Sequence, residues 1–450
     1  MVIGGNMVIT IVIDSFGDKN NGTTVTAMRM AELMVNKGNE VRIIAYVPKN
    51  ADFESLKIFK ILECDRVIIP VFDFLITGNG YTFADCDEKK IAEFIKGSDV
   101  VHIMVPFALE AKVRRVAKIM SIPVTSAYHL QPDTISYNIH LGHIQVVNSF
   151  IYYLLNHFAY LYTRTIHTPS ETMRDLMIAH GYHGDIHAIS NGVSPYFIPI
   201  DVKKPEEFKD KFVILMIGRL SGEKRQDLII KAIGHSKYNE KIQLILCGQG
   251  PKRKHYEKMS KRYLANPAIF KFCSQKELRN VINYTDLYIH ASDIESEAIA
   301  CVEAFSCGKV PIISDSKYSA TNHFALDEKC LFRKGKPLDL RDKIEYFIEH
   351  PEEKEALSKR YIEYSKTFEI GSKVDQLLDM MRLEIERDQE DHRLNRTYYS
   401  TAAERYHLRR TAKKIGLENP YIVKKDVFHD KTLKHQFDNK EEKKLYRDKK

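Results

Sequence analysis

Residues 286–315 read DLYIHASDIESEAIACVEAFSCGKVPIISD. Apolar residues crowd Asp286 to Ala291 closely enough for a buried strand. Ser292 to Glu295 is polar and offers capping residues for a short helix from Ala298 to Phe305, one face of which is built of small side chains. Cys307 and Gly308 end that helix, because glycine tolerates the left-handed conformation of a helix stop. Val310 to Ser314 is a second buried strand. Strand, loop, helix and strand in this order make a βαβ unit. Its loop opens at the C-terminal edge of a parallel sheet, where such folds bind ligands. Two acids stand out, Glu295 before the helix and Glu303 about two turns along it. Spacing alone reads them as a capping acid and a solvated helix acid.

The same alternation extends in both directions. Met7 to Asp14 is a strand, Ser15 to Gly22 a polar loop, Thr23 to Lys37 a helix stopped at Gly38, and Val41 to Val47 a strand. The loop is not G-x-G-x-x-G, so a nicotinamide-dependent oxidoreductase gains little support and ranks last. Further strands fall at Asp99–Val105, Ile122–Tyr128, Arg164–Thr168, Ile186–Ser190 and Phe212–Ile217. His102 lies inside one of them and reads as a core residue. His129 stands at the C-terminal end of another, next to a polar loop, which suits contact with a ligand. After Phe212–Ile217 comes Gly218-Arg219-Leu220-Ser221-Gly222-Glu223-Lys224, leading into a helix. Helix N-termini favour anions; Arg219 adds a planar fork for phosphate oxygens and Lys224 a point charge. Gly248 and Gly250, in Cys247-Gly248-Gln249-Gly250-Pro251, allow backbone to approach a ligand. Asp85-Cys86-Asp87 has the spacing of a metal-binding D-x-D pattern. It precedes a helix from about Lys89 to Ile95, so the acids read as caps and no metal site is expected.

Composition narrows the class. A chain of 450 residues with 44% hydrophobic content suits two domains plus an extension. Seven cysteines form no C-x-x-C pair and read as small core residues in a reducing compartment. The net charge is +8, and residues 401–450 carry 15 Lys and Arg against 8 Asp and Glu. The body is therefore close to neutral, which argues against a nucleic-acid partner. Met7 to Ile13 is too short for a secretory signal and no run approaches the ~20 apolar residues of a membrane span, so a cytoplasmic placement is expected. Residues 138–162 are rich in aromatics, as in a core helix, an apolar acceptor groove or a lipid-touching surface. Residues 388–450 show no long apolar face and read as a partly helical solvated tail, with contact to anionic lipid headgroups as the competing reading.

The block Glu295, seven residues, Glu303-Ala304, then Gly308, Pro311 and Ser314, resembles the E-x7-E signature of family 4 glycosyltransferases. Lys37 to Val41, Thr168-Pro169-Ser170, Ser190 to Val193, Gly218 to Lys224 and Gly248 to Pro251 resemble the family in the same order. The resemblance covers residues 7 to 387. It implies an α/β chain of the GT-B class: two Rossmann-like domains facing a central cleft, with a charged C-terminal extension. The implied boundaries are 1–193 for the acceptor-side domain, 194–211 for a linker, 212–369 for the donor domain, 370–387 for a helix returning to the first domain, and 388–450 for a basic tail.

The implied reaction moves a sugar, with retention of configuration, from a UDP- or GDP-linked donor to a hydroxyl in surface polysaccharide, cell-wall or glycolipid synthesis. It needs neither metal nor cofactor. Arg219 and Lys224 would stabilise the diphosphate, Glu303 would hold the ribose hydroxyls, and Glu295 would lie near the sugar or its phosphate. Gly22, Gly218, Gly248, Gly250 and the amides of Ala298 and Ile299 would line the donor. His129 would orient sugar or acceptor and share developing positive charge. The implied partners are the nucleotide-sugar, a glycan or lipid-linked hydroxyl acceptor, and an anionic membrane touched by the tail at its inner face. Three departures stand out: Arg225 where Gly is frequent, Glu297-Ala298 where Phe-Gly is frequent, and Ser316 to Thr321 where paired glycines are frequent. The last two keep a second hypothesis open, a non-catalytic GT-B-like module that binds sugar or a partner.

Overall fold

Among the described residues, fifteen short runs become strands, and thirteen of them build two parallel sheets. The computed structural model describes residues 5–17, 22–49, 51–68, 82–138, 145–182, 184–393 and 402–417. The chain divides into two compact units. Unit 1 comprises Met1–Pro132, Ile144–Ile189 and Val374–Lys450; unit 2 comprises Asp133–His143 and Ser190–Lys373.

In unit 1 the strands are β1 (Val8–Ser15), β2 (Glu40–Tyr46), β3 (Lys60–Glu63), β4 (Asp65–Val67), β5 (Phe83–Asp85), β6 (Val100–Ile103), β7 (Val124–Ala127), β8 (Thr165–Thr168) and β9 (Asp185–Ala188). Seven of them form a parallel sheet in the order β3-β2-β1-β6-β7-β8-β9, while β4 and β5 make an antiparallel pair. Register is set by buried pairs such as Ile11 with Ile43 and Ile9 with Val100. The order reverses between β1 and β6, so the loops leaving these two strands diverge and open a crevice at the C-terminal edge.

In unit 2 the strands are β10 (Phe212–Ile217), β11 (Ile242–Cys247), β12 (Ile269–Lys271), β13 (Leu287–His290), β14 (Pro311–Ser314) and β15 (Leu331–Phe332). Their order is β12-β11-β10-β13-β14-β15, all parallel. Here the reversal lies between β10 and β13. The loops leaving those strands are the Arg219–Lys224 loop and the Glu295 loop. The stretch 194–211, expected as a linker, packs into unit 2: Phe197 and Phe208 are buried in its core.

The C-terminal part departs from the solvated tail expected from 388 onward. The helix Ile370–Arg393 runs past residue 387. From Val374 it belongs to unit 1, where Val374, Leu377 and Met381 are buried. Arg164 donates to Glu384 through Nε and Nη2, both at 3.1 Å, and pairs with Asp391 at 2.6 Å. A further helix, Ala402–Ile415, packs Leu408 and Ala412 against Ile119. Its Glu404 pairs with Arg114, both side chains being only 3% exposed. The physical reason is an amphipathic pattern with few apolar residues, completed by an ion pair to a residue far away in sequence. Residues 418–450 lie outside the described residues.

Asp87 caps the helix Glu88–Ile95 by accepting from the amides of Lys89 and Lys90, and Asp85 pairs with Lys112. The aromatic stretch is mixed. Tyr152, Tyr160 and Tyr162 are buried, whereas Val146, Phe150 and Tyr153 on the helix Gln145–Phe158 are exposed. No helix among the described residues is long and apolar enough to cross a membrane.

Candidate active site

In unit 2 the loops at the sheet's C-terminal edge are stitched to one another by backbone. Gly218 N donates to Cys247 O at 2.9 Å, Leu220 N to Gln249 O at 2.9 Å, and Lys252 N to Leu220 O at 2.9 Å. A side chain at Gly248 would place its Cβ 2.0 Å from Gly218 O, and one at Gly250 would lie 2.4 Å from Leu220 O. The glycine requirement at Gly248 and Gly250 thus comes from one loop pressing on another. Residues 218–220 occupy the space that a side chain at either position would need. Gly218 differs, since an added Cβ would meet only Lys224 Cδ, at 3.9 Å. Gln226 Nε2 donates to Arg219 O at 2.8 Å and Tyr256 OH to Ser221 O at 2.9 Å, which fixes the course of the loop.

Across the β10–β13 reversal, Asp293 N donates to Glu223 O at 2.8 Å and joins the two diverging loops. Lys224 and Glu295, far apart in sequence, form an ion pair there, with side chains 20% and 11% exposed. The same Glu295 oxygen lies 3.0 Å from His290 Nε2, and His290 Nδ1 lies 3.1 Å from Tyr288 OH. An ionised carboxylate only accepts, so His290 donates to it from Nε2. Burial would raise the Glu295 carboxyl. The Lys224 ammonium and the His290 hydrogen bond outweigh it and hold the group well below the usual carboxylate range.

The departures from the family pattern have structural explanations. Arg225 adopts a left-handed conformation, φ 56°, which explains why glycine is common at this position. Its guanidinium donates to Asp293 at 2.9 Å and to Asp227 at 3.0 and 3.2 Å, and these bonds offset the backbone strain. Ser316 Oγ donates to Asp293 O at 2.5 Å, and Ala320 N donates to Glu295 O at 2.9 Å, so the glycine-free stretch supports the Glu295 loop. Glu297 is buried and accepts from Asn191 N at 3.0 and 3.1 Å and from the Ser190 hydroxyl. Burial pushes its carboxyl up to about 7.

The helix expected over Ala298–Phe305 runs from Ile299 to Ser306. Ala298 precedes it with φ 65°, and no side chain caps it. The capping expected from Ser292 to Glu295 does not occur, because the Glu295 carboxylate is drawn to Lys224 and His290. Glu303 is buried within this helix.

His129 and Gly22 belong to unit 1. His129 lies two residues past β7, its ring edge-on to His167 at 5.3 Å. Its Nε2 is buried and has no hydrogen-bond partner among the described residues. Burial, with His167 and His102 adding to it, keeps its pKa well below the ordinary value, so the ring is a neutral imidazole. Gly22 starts the helix Gly22–Asn36; residues 18–21 of the expected glycine loop lie outside the described residues. Sequence reasoning missed His290, Asp293 and Ser316. Only position, at or just beyond a strand's C-terminal end, marked them.

Two family models match successive parts of the chain. "Glycosyltransferase Family 4" covers residues 20–196 and "Glycosyl transferases group 1" covers residues 197–367. The chain is a family 4 glycosyltransferase. This glycosyltransferase is 24% identical to a GDP-mannose-dependent alpha-mannosyltransferase of Corynebacterium glutamicum, over 68% of its own length and 72% of the relative's. It is 22% identical to an alpha-monoglucosyldiacylglycerol synthase of Streptococcus pneumoniae, over 68% and 71% of the two chains. Anabaena HepE in complex with UDP and glucose superposes with a TM-score of 0.63 at 17% identity, covering 84% of this chain and all of that one. The glycosyltransferase has the GT-B fold and moves sugars from nucleotide-sugar donors, so the non-catalytic hypothesis is disfavoured.

Proposed function

We propose that this enzyme transfers a hexose from a UDP- or GDP-linked donor, with retention of configuration, to a hydroxyl of a glycan or lipid-linked acceptor at the cytoplasmic face of an anionic membrane. The observation that carries the donor side is the Lys224–Glu295 ion pair at the strand-order reversal of unit 2. Breaking a glycosyl–phosphate bond leaves negative charge on a diphosphate. Lys224 is held in place by Glu295 before any donor arrives, and Arg219 sits on the same loop, so cationic stabilisation is organised in advance. Glu303 takes the ribose hydroxyls, and the amides of Ala298 and Ile299, with Gly218, meet the donor. Gly248 and Gly250 act by shaping the loop that carries Arg219. No protein nucleophile is required when the acceptor attacks from the face the leaving group departs, and that course retains configuration. His129, neutral in the fold, orients sugar or acceptor hydroxyls through its unpartnered Nε2 and does not act as a resident cation.

The relatives' names support the finer choices. One is named for GDP-mannose and one for a diacylglycerol-based product, and both are named for alpha linkages. The membrane contact rests on the helix Ala402–Ile415. Its inner face is buried, while Tyr406, Arg409, Arg410 and Lys413 are exposed. Each well-placed cation near an anionic surface contributes about 1 kcal/mol.

The test is a thermal-shift panel of UDP-, GDP- and ADP-sugars on wild type and Arg219→Ala. A donor that binds only the folded chain raises its melting temperature. A rise with one nucleotide class, lost in the variant, is expected. No rise with any donor would sink the donor-site assignment. Flotation with phosphatidylglycerol-containing and with pure phosphatidylcholine vesicles tests the membrane contact, and equal recovery with both would refute it.

A further inference from the structure

β11 and β12 run parallel with Cys247 registered against Lys271, and Cys273 follows two residues later. This brings the two sulfurs to 3.7 Å. We propose that Cys247 and Cys273 form an oxidisable dithiol, a modification site for hydroperoxides, set at the root of the Gly248 loop. Forming a disulfide requires the sulfurs to close by only about 1.7 Å.

The two thiols divide the work. Cys273 is the one cysteine of the seven that is not buried, and its neighbour Phe272 is 65% exposed. Cys247 is buried at the end of β11. The hydrogen bond from the Cys247 thiol draws the Cys273 thiol down to about 7, with Lys271 adding to the effect. An accessible thiolate beside a second thiol is the arrangement of a peroxide-sensitive cysteine. Cys64 and Cys86 also interact, but both are buried and burial raises both thiols.

The chemistry balances. The Cys273 thiolate attacks a peroxide oxygen; an S–O bond forms, the O–O bond breaks, and the released hydroxide takes a proton to become water. The Cys247 sulfur then attacks the Cys273 sulfenic acid. The S–S bond forms, the S–O bond breaks, and the hydroxyl leaves as a second water with the Cys247 proton. Two thiols lose two electrons and one hydroperoxide is reduced.

The consequence follows from the backbone around Cys247. Its carbonyl accepts from Gly218 N at 2.9 Å, and Gly248 N donates to Lys271 O at 2.8 Å. A Cβ added at Gly248 would lie 2.0 Å from Gly218 O, so the two loops pack closely here. Strain at the disulfide therefore reaches the loop that carries Arg219. This effect on the donor rests on the function proposed above; the modification site does not.

The experiment treats the full-length protein with hydrogen peroxide, then maps disulfides by non-reducing digestion and mass spectrometry. A Cys247–Cys273 cross-linked peptide is expected, absent in Cys273→Ser and removed by dithiothreitol. Its absence from peroxide-treated wild type overturns the proposal whether or not a donor has been found. With the donor identified by the thermal-shift panel, the oxidised enzyme should show a several-fold higher donor KM, restored by dithiothreitol, while peroxide leaves the KM of Cys273→Ser unchanged. An unchanged KM in cross-linked wild type would overturn the link to the donor loop.

Discussion

Replacing Glu297 by Gln removes a charge that the fold holds at a cost. Glu297 is 4% exposed, and burial raises its carboxyl from its ordinary 4.5 to about 7, against the hydrogen bonds from Ser190 and Asn191. A pKa difference of one unit corresponds to about 1.4 kcal/mol, so at pH 8 the ionised group destabilises the folded chain by about 3 kcal/mol. Between the two pKa values the folded chain binds more protons than the unfolded one, and stability falls as pH rises. Near pH 4.5 and below, both states hold the proton and the penalty disappears. Gln keeps an acceptor for Asn191 N and cannot ionise. The variant should therefore match wild type within about 1 kcal/mol at pH 5 and exceed it by about 3 kcal/mol at pH 8. For a unit of this size that gain is about 6–12 °C in melting temperature. The assay is a set of thermal melts of both proteins from pH 5 to pH 8, with the difference taken at each pH. Other buried acids, such as Asp14, raised to about 7, cancel in that difference. Parallel melting curves across this range would refute the reasoning.

Glu295→Gln should behave in the opposite way. Its carboxyl is held low, so its contribution is complete above the ordinary carboxylate range and is lost only as pH falls below it; the variant should lose about 2 kcal/mol uniformly from pH 6 to pH 8, read by urea unfolding. Gly248→Ala places a Cβ 2.0 Å from Gly218 O at φ 153°. It should cost at least ~2 kcal/mol and abolish the donor-induced rise in melting temperature. Glu404→Gln leaves the buried Arg114 charge without its carboxylate and should cost about 3 kcal/mol in a urea melt. A change below about 0.5 kcal/mol would place that ion pair among the weak surface pairs.

Where recognition was local, the residues alone were readable. The strand, loop and helix order of 286–315, the strand Phe212–Ile217 and the Asp87 cap each follow from period, capping and turn chemistry within about a dozen residues. The helix Ala402–Ile415 was not readable. Its apolar face is only Leu408, Ala412 and Ile415, and the surface that completes it, Arg114 and Ile119, lies on a helix near the start of the chain. The Gly248 requirement was visible as a glycine but not as a contact, because the atom that forbids a side chain there is Gly218 O, thirty residues earlier in the chain.

The amino-acid order by itself determined two α/β halves and the family, since each rests on short-range pattern. Only the tertiary structure decided what those groups do to one another. Lys224 meets Glu295 because the strand order reverses between β10 and β13, which brings two distant loops together. Glu297 turns to Ser190 and Asn191, and Cys273 meets Cys247, for the same kind of reason. A pKa, an ion pair or a thiol's reactivity depends on neighbours and burial, and a parallel sheet draws those neighbours from strands far apart in sequence.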